Sequence, residues 1–438
     1  MHGANEIPLY SLIPFILMLG SIAVMPLVTP HFWESNRNKL IISLVLGIPM
    51  TIWLFANGMN HEWIHAVIYD YVPFIILLGA LFVITGGIFV EGSMEPTPAT
   101  NLKLIGIGTL LASLMGTTGA AMLMIRPLIN ANKNRKYKVH TILFFIATAA
   151  NCGGLLTPLG DPPLFMMYLR GTPFFWFLHL FKEWILINTL ILAIYYIVDS
   201  YYFRKEDQNS LKIAPEDRKP IRIYGKLNFL WLLGVVFAVA YINPQSIDFI
   251  EMVTPSSFIR EGFILLMAVL SLSMTKEITR IKNQFSWEPI NEVAFLFLGI
   301  FITMVPCLMY LETHAQQLGV DTPIMVYYAT GILSSFLDNT PTAVTFYSLV
   351  IGLAENDPMI MQGSVAVAGI PTMFMEAIAI SSVLFGSMTY IGNGPNFMVK
   401  AIAESQGINM PEFFQYMIKF SLIVLLPLFI LTQILFIH

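Results

Sequence analysis

Thr157–Met166 reads TPLGDPPLFM, and it lies inside a long apolar segment although it carries a glycine, three prolines and a carboxylate. A second stretch, Thr389–Met398, reads TYIGNGPNFM inside another apolar segment, 232 residues later. The two agree at Thr, Gly, Pro, Phe and Met, with Asp161 opposite Asn393. Upstream, LLASLMGTTGAAM (Leu110–Met122) pairs with ILSSFLDNTPTAV (Ile332–Val344) at a similar offset of 222. The chain therefore reads as a duplication in which each copy interrupts apolar segments with helix-breaking residues. Interrupted apolar segments at corresponding positions of two halves are the pattern of a secondary transporter.

Composition agrees. Of 438 residues, 56% are hydrophobic and 11% charged, and the mean hydropathy is +0.71. Soluble domains carry about 25% charged residues, so the fold class is an all-α polytopic membrane protein. A net charge of −4 gives no reason to expect a nucleic-acid partner. Cys152 and Cys307 have no ligand-like spacing and read as small buried hydrophobes. MHGANEIPLY at the N-terminus lacks the basic region of a cleavable signal peptide.

About 20 apolar residues cross a bilayer. On that ruler the first half offers Ile7–Val28, Leu40–Phe55, Val72–Val90, Leu102–Ile129, Thr141–Leu169 and Phe174–Tyr202. The second half offers Phe229–Ile242, Gly262–Met274, Val293–Tyr310, Pro323–Leu353, Val365–Val399 and Phe413–Ile437. Basic residues cluster in Arg37–Lys39, Asn132–Lys138, Arg204–Lys226 and Lys276–Lys282. They are missing from Ala56–Tyr71, Tyr241–Ser257, Leu311–Pro323 and Glu355–Gly369. The positive-inside rule places the first set in the cytoplasm and the second outside. That assignment makes 102–129 and 323–353 re-entrant hairpins, with tips at Gly116–Gly119 and Asp338–Pro341. It also inverts residues 1–202 relative to 228–438, makes 203–227 a cytoplasmic linker, and puts both termini outside the cytoplasmic membrane.

Non-helical backbone at membrane depth is tolerated only where it is buried in protein or lines a polar cavity, so the tips and breaks are the candidate site. Asp338 is read as an ion ligand, because Thr340 before Pro341 supplies the helix cap and leaves the carboxylate free. Asp161 has two readings, an N-cap before Pro162 and an ion ligand. Asn339, Asn393, Asn396, Thr117, Thr118, Thr157, Thr340 and Thr389 offer neutral oxygens that suit a hard cation; each also suits a helix–helix hydrogen bond. Glu376 is read as a proton relay or as a partner for a neighbouring side chain. His61–His65, HEWIH, matches the zinc-protease signature. The motif falls in a short external loop with no marked third ligand, so no enzyme activity and no cofactor are expected.

The paired hairpins, with SSFLDNTPTAV, and the paired breaks, with NCGGLLTPLGDPP and GNGPNF, resemble the NhaD-type sodium/proton antiporters. These belong to the arsenite-pump/NhaD superfamily, within the ion-transporter clan that includes citrate and dicarboxylate carriers. The resemblance implies an elevator-type homodimer with a scaffold and a mobile domain that contains both hairpins. It also implies that Asp338 and Asp161 bind Na⁺ and H⁺ in turn. One departure stands out. The dicarboxylate carriers have Ser-Asn-Thr at both tips, whereas this chain has Asp-Asn-Thr at one and Gly-Thr-Thr-Gly at the other. The function expected is Na⁺/H⁺ antiport, with coupled uptake of an organic anion such as citrate as the alternative.

Overall fold

A computed structural model describes residues 7–207, 211, 220–243, 258–356, 358–361 and 365–438. Much of the expected linker, part of the expected external stretches around 250 and 360, and residues 1–6 of the N-terminal stretch fall outside the described residues. Among these described residues, seven helices are long and apolar enough to cross a membrane, or eight if a bent pair counts as one. Sheet among them is confined to two short ribbons, β1 (Phe89–Glu91) with β2 (Arg222–Tyr224) and β3 (Ala366–Val367) with β4 (Ile370–Pro371).

The first half runs through α1 (Leu9–Val28), α2 (Asn36–Ala56), α3 (Asn60–Gly86) and α4 (Pro98–Ala131). It continues with α5 (Val139–Thr148), α6 (Pro162–Leu169) and α7 (Phe181–Phe203). The second half contains α8 (Asn228–Tyr241), α9 (Ile259–Met274), α10 (Glu288–Thr303), α11 (Val305–His314) and α12 (Pro323–Phe336). It ends with α13 (Asn339–Asn356), α14 (Thr372–Phe385), α15 (Gly394–Ser405) and α16 (Phe413–Phe436).

Burial separates the centre from the periphery. In its most apolar window α1 is 17% buried and α16 28%, as expected of helices with lipid on one side. Val139–Leu156 is 78% buried and α4 67%, although they are less apolar than α1. The centre of the molecule is therefore the interrupted segments. Around it, α2 packs on α10, α3 on α9, α12 on α14, and α13 on both α11 and α6.

The segment expected as the first hairpin folds back on itself. Gly116 takes φ +79° inside α4, a region that favours glycine, and a Cβ there would stand 3.3 Å from the Leu159 carbonyl oxygen. The two ends of α4 then meet: Asn101 donates to the Asn132 side-chain oxygen at 2.9 Å and receives a hydrogen bond from its amide at 2.7 Å. In a straight helix, a separation of 31 positions would hold them roughly 46 Å apart. Asn101 also donates to Asp199 of α7 at 3.1 Å. Asp199 in turn pairs with the buried Arg135 at 2.6 Å and His140 at 2.8 Å, so the base of this hairpin is anchored by a cluster of polar and charged groups.

Two local expectations need correction. The span expected at Val72–Val90 begins at Asn60, with a π-helical turn over His65–Tyr71, and ends at Gly86. HEWIH is therefore helical rather than part of a loop, and its second histidine opens the π turn. Among the described residues, no group of three His, Cys, Asp or Glu side chains is placed to hold a metal. The second correction concerns Thr340. α13 starts at Asn339, and the Thr340 amide donates to the Asp338 carboxylate at 3.0 Å. Asp338 is thus the N-cap, because its oxygen reaches the second amide of the helix, as caps do; Thr340 lies inside the first turn. Both cysteines are buried and free, as expected.

Candidate functional site

The two interrupted stretches have the same backbone. Each follows a 3₁₀ turn, Cys152–Leu156 or Gly386–Met388. Thr157 then takes φ −147°, ψ 159°, and Thr389 φ −140°, ψ 170°. Asp161 and Asn393 lie at φ −144°, ψ 144° and φ −149°, ψ 138° and open α6 and α15. The Thr157 hydroxyl donates to the Ser113 carbonyl and the Thr389 hydroxyl to the Ser335 carbonyl, an equivalent pair of bonds. Each threonine oxygen also accepts an amide of its own turn, at 3.2 Å from Leu159 and 3.3 Å from Ile391. These two threonines close the turns and clamp them to the helices before the tips. Backbone approach is tight enough to require glycine: a Cβ on Gly160 would lie 1.9 Å from the Gly154 oxygen, and one on Gly392 would lie 2.6 Å from the Gly386 oxygen.

Asp161 is the point on which the two copies converge. It is 1% exposed. Its Oδ1 accepts from the Thr117 hydroxyl at 2.7 Å and the Asn393 amide at 3.1 Å, and its Oδ2 accepts from the Asn339 amide at 2.5 Å. Thr117 and Asn339 occupy equivalent positions in the duplication, one in each tip. Both tips and the second broken helix therefore bond to one carboxylate of the first broken helix. Although Asp161 sits at the N-cap position of α6, its side chain caps nothing. Pro162 and Pro163 remove the first two amides, and the Leu164 amide bonds to the Asp161 backbone oxygen at 3.0 Å.

The other expected residues divide into three groups. Thr118 and Asp338 line a cavity of about 780 Å³ together with Thr117 and Asn393, and Thr340 is buried next to Asn339. Asn396 is a brace: its amide donates to the Gly386 and Thr389 carbonyls at 2.8 and 2.9 Å. Glu376 stands apart. It lies ten residues before Gly386 on α14, roughly 15 Å along a helix, and the charges that act on it are those of Glu183 and His179.

Asn151 is a site residue that the motif reading missed. It is fully buried, donates to Asn396 Oδ1 at 2.6 Å and accepts from the Asn393 amide at 3.1 Å. It thereby orients the asparagine that holds Asp161. Its counterpart at the 232-residue offset is Val383, so the duplication left no signal there. NCGG, immediately before the break, was the available one.

The cavity lies between these breaks and a wall formed by α1, α2, α3 and α10, with Glu34, Arg37, Lys39 and Glu288 among its lining residues. Lys39 is paired with Glu292 at 2.7 Å. A second cavity, of about 600 Å³, lies toward the other end of α3. His61, Asp70, Arg170 and Tyr347 line it, and none of the residues bonded to Asp161 does.

The fold and this buried polar centre define a polytopic membrane protein in which a carboxylate is held by both halves of the chain, beneath a cavity that reaches two of its donors, Thr117 and Asn393. The family described as "Putative citrate transport" matches residues 4–437. The chain belongs to this family of transporters, which lies within the ion transporter superfamily. A comparison with curated proteins gave no match.

Proposed function

We propose that this protein is a secondary active transporter of the NhaD type, exchanging Na⁺ for H⁺ across the cytoplasmic membrane by alternating access. The observation that carries the reading is the environment of Asp161. A carboxylate buried among neutral donors alone is strongly disfavoured as a charge, and among the described residues no Lys or Arg bonds to it. A bound Na⁺ or a proton removes that penalty, and the two cannot both occupy the site. Competition between them is sufficient for exchange. For a hard cation, turning the Asn339 and Asn393 amides presents oxygens beside Asp161 and the Thr117 hydroxyl. Asp338, on the cavity wall, supplies a second negative charge on the approach. The proposal assigns no step to Glu376.

In the same reading the halves are inverted repeats, with 102–129 and 323–353 as re-entrant hairpins in a mobile domain. The scaffold helices carry the contact of a homodimer embedded in the bilayer. The cavity edged by Arg37 and Lys39 faces the cytoplasm, the termini lie outside, and the state described is open inward.

One observation favours a second reading, Na⁺- or H⁺-coupled uptake of citrate: the family description itself. The electrostatics of the centre weigh against it, since Asp161 and Asp338 place negative charge where a polyanion would bind. Purified protein in liposomes with an internal pH dye separates the two. Antiport predicts rapid, Na⁺-dependent dissipation of an imposed proton gradient without citrate, lost in Asp161→Asn. No response to Na⁺, with saturable uptake of radiolabelled citrate, would overturn it.

A further inference from the structure

The second cavity is lined by a charged contact that ties α3 to the end of α6. Asp70, in the π turn of α3, is 2% exposed. Both terminal nitrogens of Arg170 lie 3.4 Å from its Oδ2, and His65 Nδ1 lies 3.7 Å from the same atom. Arg170 is the C-cap of α6, the eight-residue helix whose N-cap is Asp161. The guanidinium and the central carboxylate therefore sit at opposite ends of one short rod, roughly 13 Å apart along its axis. Arg170 also stands over the Tyr347 ring at 5.8 Å, on α13, the helix that Asp338 caps. One arginine thus joins α3 to two of the helices that start at the site, α6 and α13. Arg260 of α9 donates to the Tyr168 hydroxyl at 3.1 Å, a polar link from a neighbouring helix to α6.

We infer that Asp70 and Arg170 form a latch that holds the outer side closed while the inner cavity is open. The inference rests on the alternating-access reading and adds the residues that bias it. Opening the outer side separates α6 from α3, which breaks the pair and exposes both charges to water. With either partner neutralised, the closed state instead retains a charge that has lost its nearest counterion, with only the partly exposed His65 beside Asp70 or Glu312 near Arg170 in its place, an unfavourable arrangement. Each single neutralisation therefore shifts the protein toward the outward-open state, and exchanging the two charges reverses the shift.

The test uses the full chain with Cys152→Ala and Cys307→Ala and a single reporter, Gly394→Cys. This position lines the inner cavity, and a Cβ there meets nothing within 4 Å. A membrane-impermeant maleimide is applied from each side of sealed vesicles. In the parent, labelling is expected mainly from the cytoplasmic side. In Asp70→Asn and Arg170→Gln, labelling from outside should rise by about threefold or more while labelling from inside falls, and the Asp70→Arg, Arg170→Asp pair should return both toward the parent. Arg170→Lys, which keeps the charge and loses the planar fork, should fall between. Unchanged sidedness in the single variants, or labelling that rises equally from both sides, overturns the latch. So does a charge-exchanged protein that stays shifted. The readout does not depend on the solute carried: if neither Na⁺ nor citrate is transported but sidedness moves as stated, the substrate reading fails and the latch stands.

Discussion

The two interrupted stretches share a backbone and differ in what their opening side chains do. In the first copy Asp161 caps no helix and gathers three donors; in the second, Asn393 in the same conformation is one of those donors. The tips are asymmetric in the opposite sense. Gly116 makes a left-handed bend with no side chain, whereas its counterpart Asp338 caps a helix. A symmetric frame therefore carries one buried carboxylate from one copy and one cavity-lining carboxylate from the other. Equal backbones do not imply equal roles, because a helix start that has lost its amides to proline releases its capping side chain for other work.

The largest effect should come from erasing the difference at the centre. Asp161→Asn makes the two copies alike, and Na⁺-dependent exchange should fall to the level of empty liposomes. The protein should melt no lower than the parent, since a buried, uncompensated charge has been removed. Na⁺ should also stop raising its melting temperature, because ligand binding to the folded state is what produces that shift; a retained Na⁺ shift would move the ion elsewhere. The reciprocal change, Asn393→Asp, places two carboxylates side by side. It should destabilise the Na⁺-free protein by about 2 kcal/mol or more, with partial recovery as Na⁺ rises, read as a melting curve against Na⁺ concentration.

The tip comparison sharpens on Asp338. Asp338→Asn keeps a competent cap, so stability should change by only a few tenths of a kcal/mol while the rate of exchange drops. Asp338→Ala should cost about 1 kcal/mol in addition. Equal melting of the two variants would show that the cap contributes little. The smallest effect should be Thr117→Ala. Losing one of three donors should cost about 1 kcal/mol and weaken Na⁺ affinity severalfold, and it should do so less than Asn339→Ala, which opens a larger gap at the equivalent position.

Much of this was legible in the sequence. The breaks, the tips and the pairing of Asp161 with Asn393 all follow from proline, glycine and carboxylate inside apolar segments, where such residues are costly enough to mark themselves. Four features were not. Asn151 escaped because self-comparison finds only what both copies keep, and the second copy has valine. The capping roles of Asp338 and Thr340 escaped because Thr-Pro is a good helix start in isolation, and only the fold shows that the helix begins two residues earlier, at Asn339. The π turn at His65–Tyr71 escaped because its apolar pattern differs little from that of an ordinary helix, so HEWIH looked like part of a loop. The anchor of Arg135, His140 and Asp199 escaped because it joins the basic stretch Asn132–Lys138 and the residues just after it to a later span, and no local pattern pairs them before the chain folds.

That anchor has a consequence for how the chain is made. α4 begins and ends at the same place, so it cannot be threaded through the translocon as a simple span. Of the two asparagines at its base, Asn101 also bonds Asp199, 98 positions further along the chain. Until α7 has left the ribosome, the base of this hairpin lacks that carboxylate. Its final seating therefore waits on a helix synthesised well after it, and a chain truncated before α7 should present the hairpin as a substrate for quality-control proteolysis.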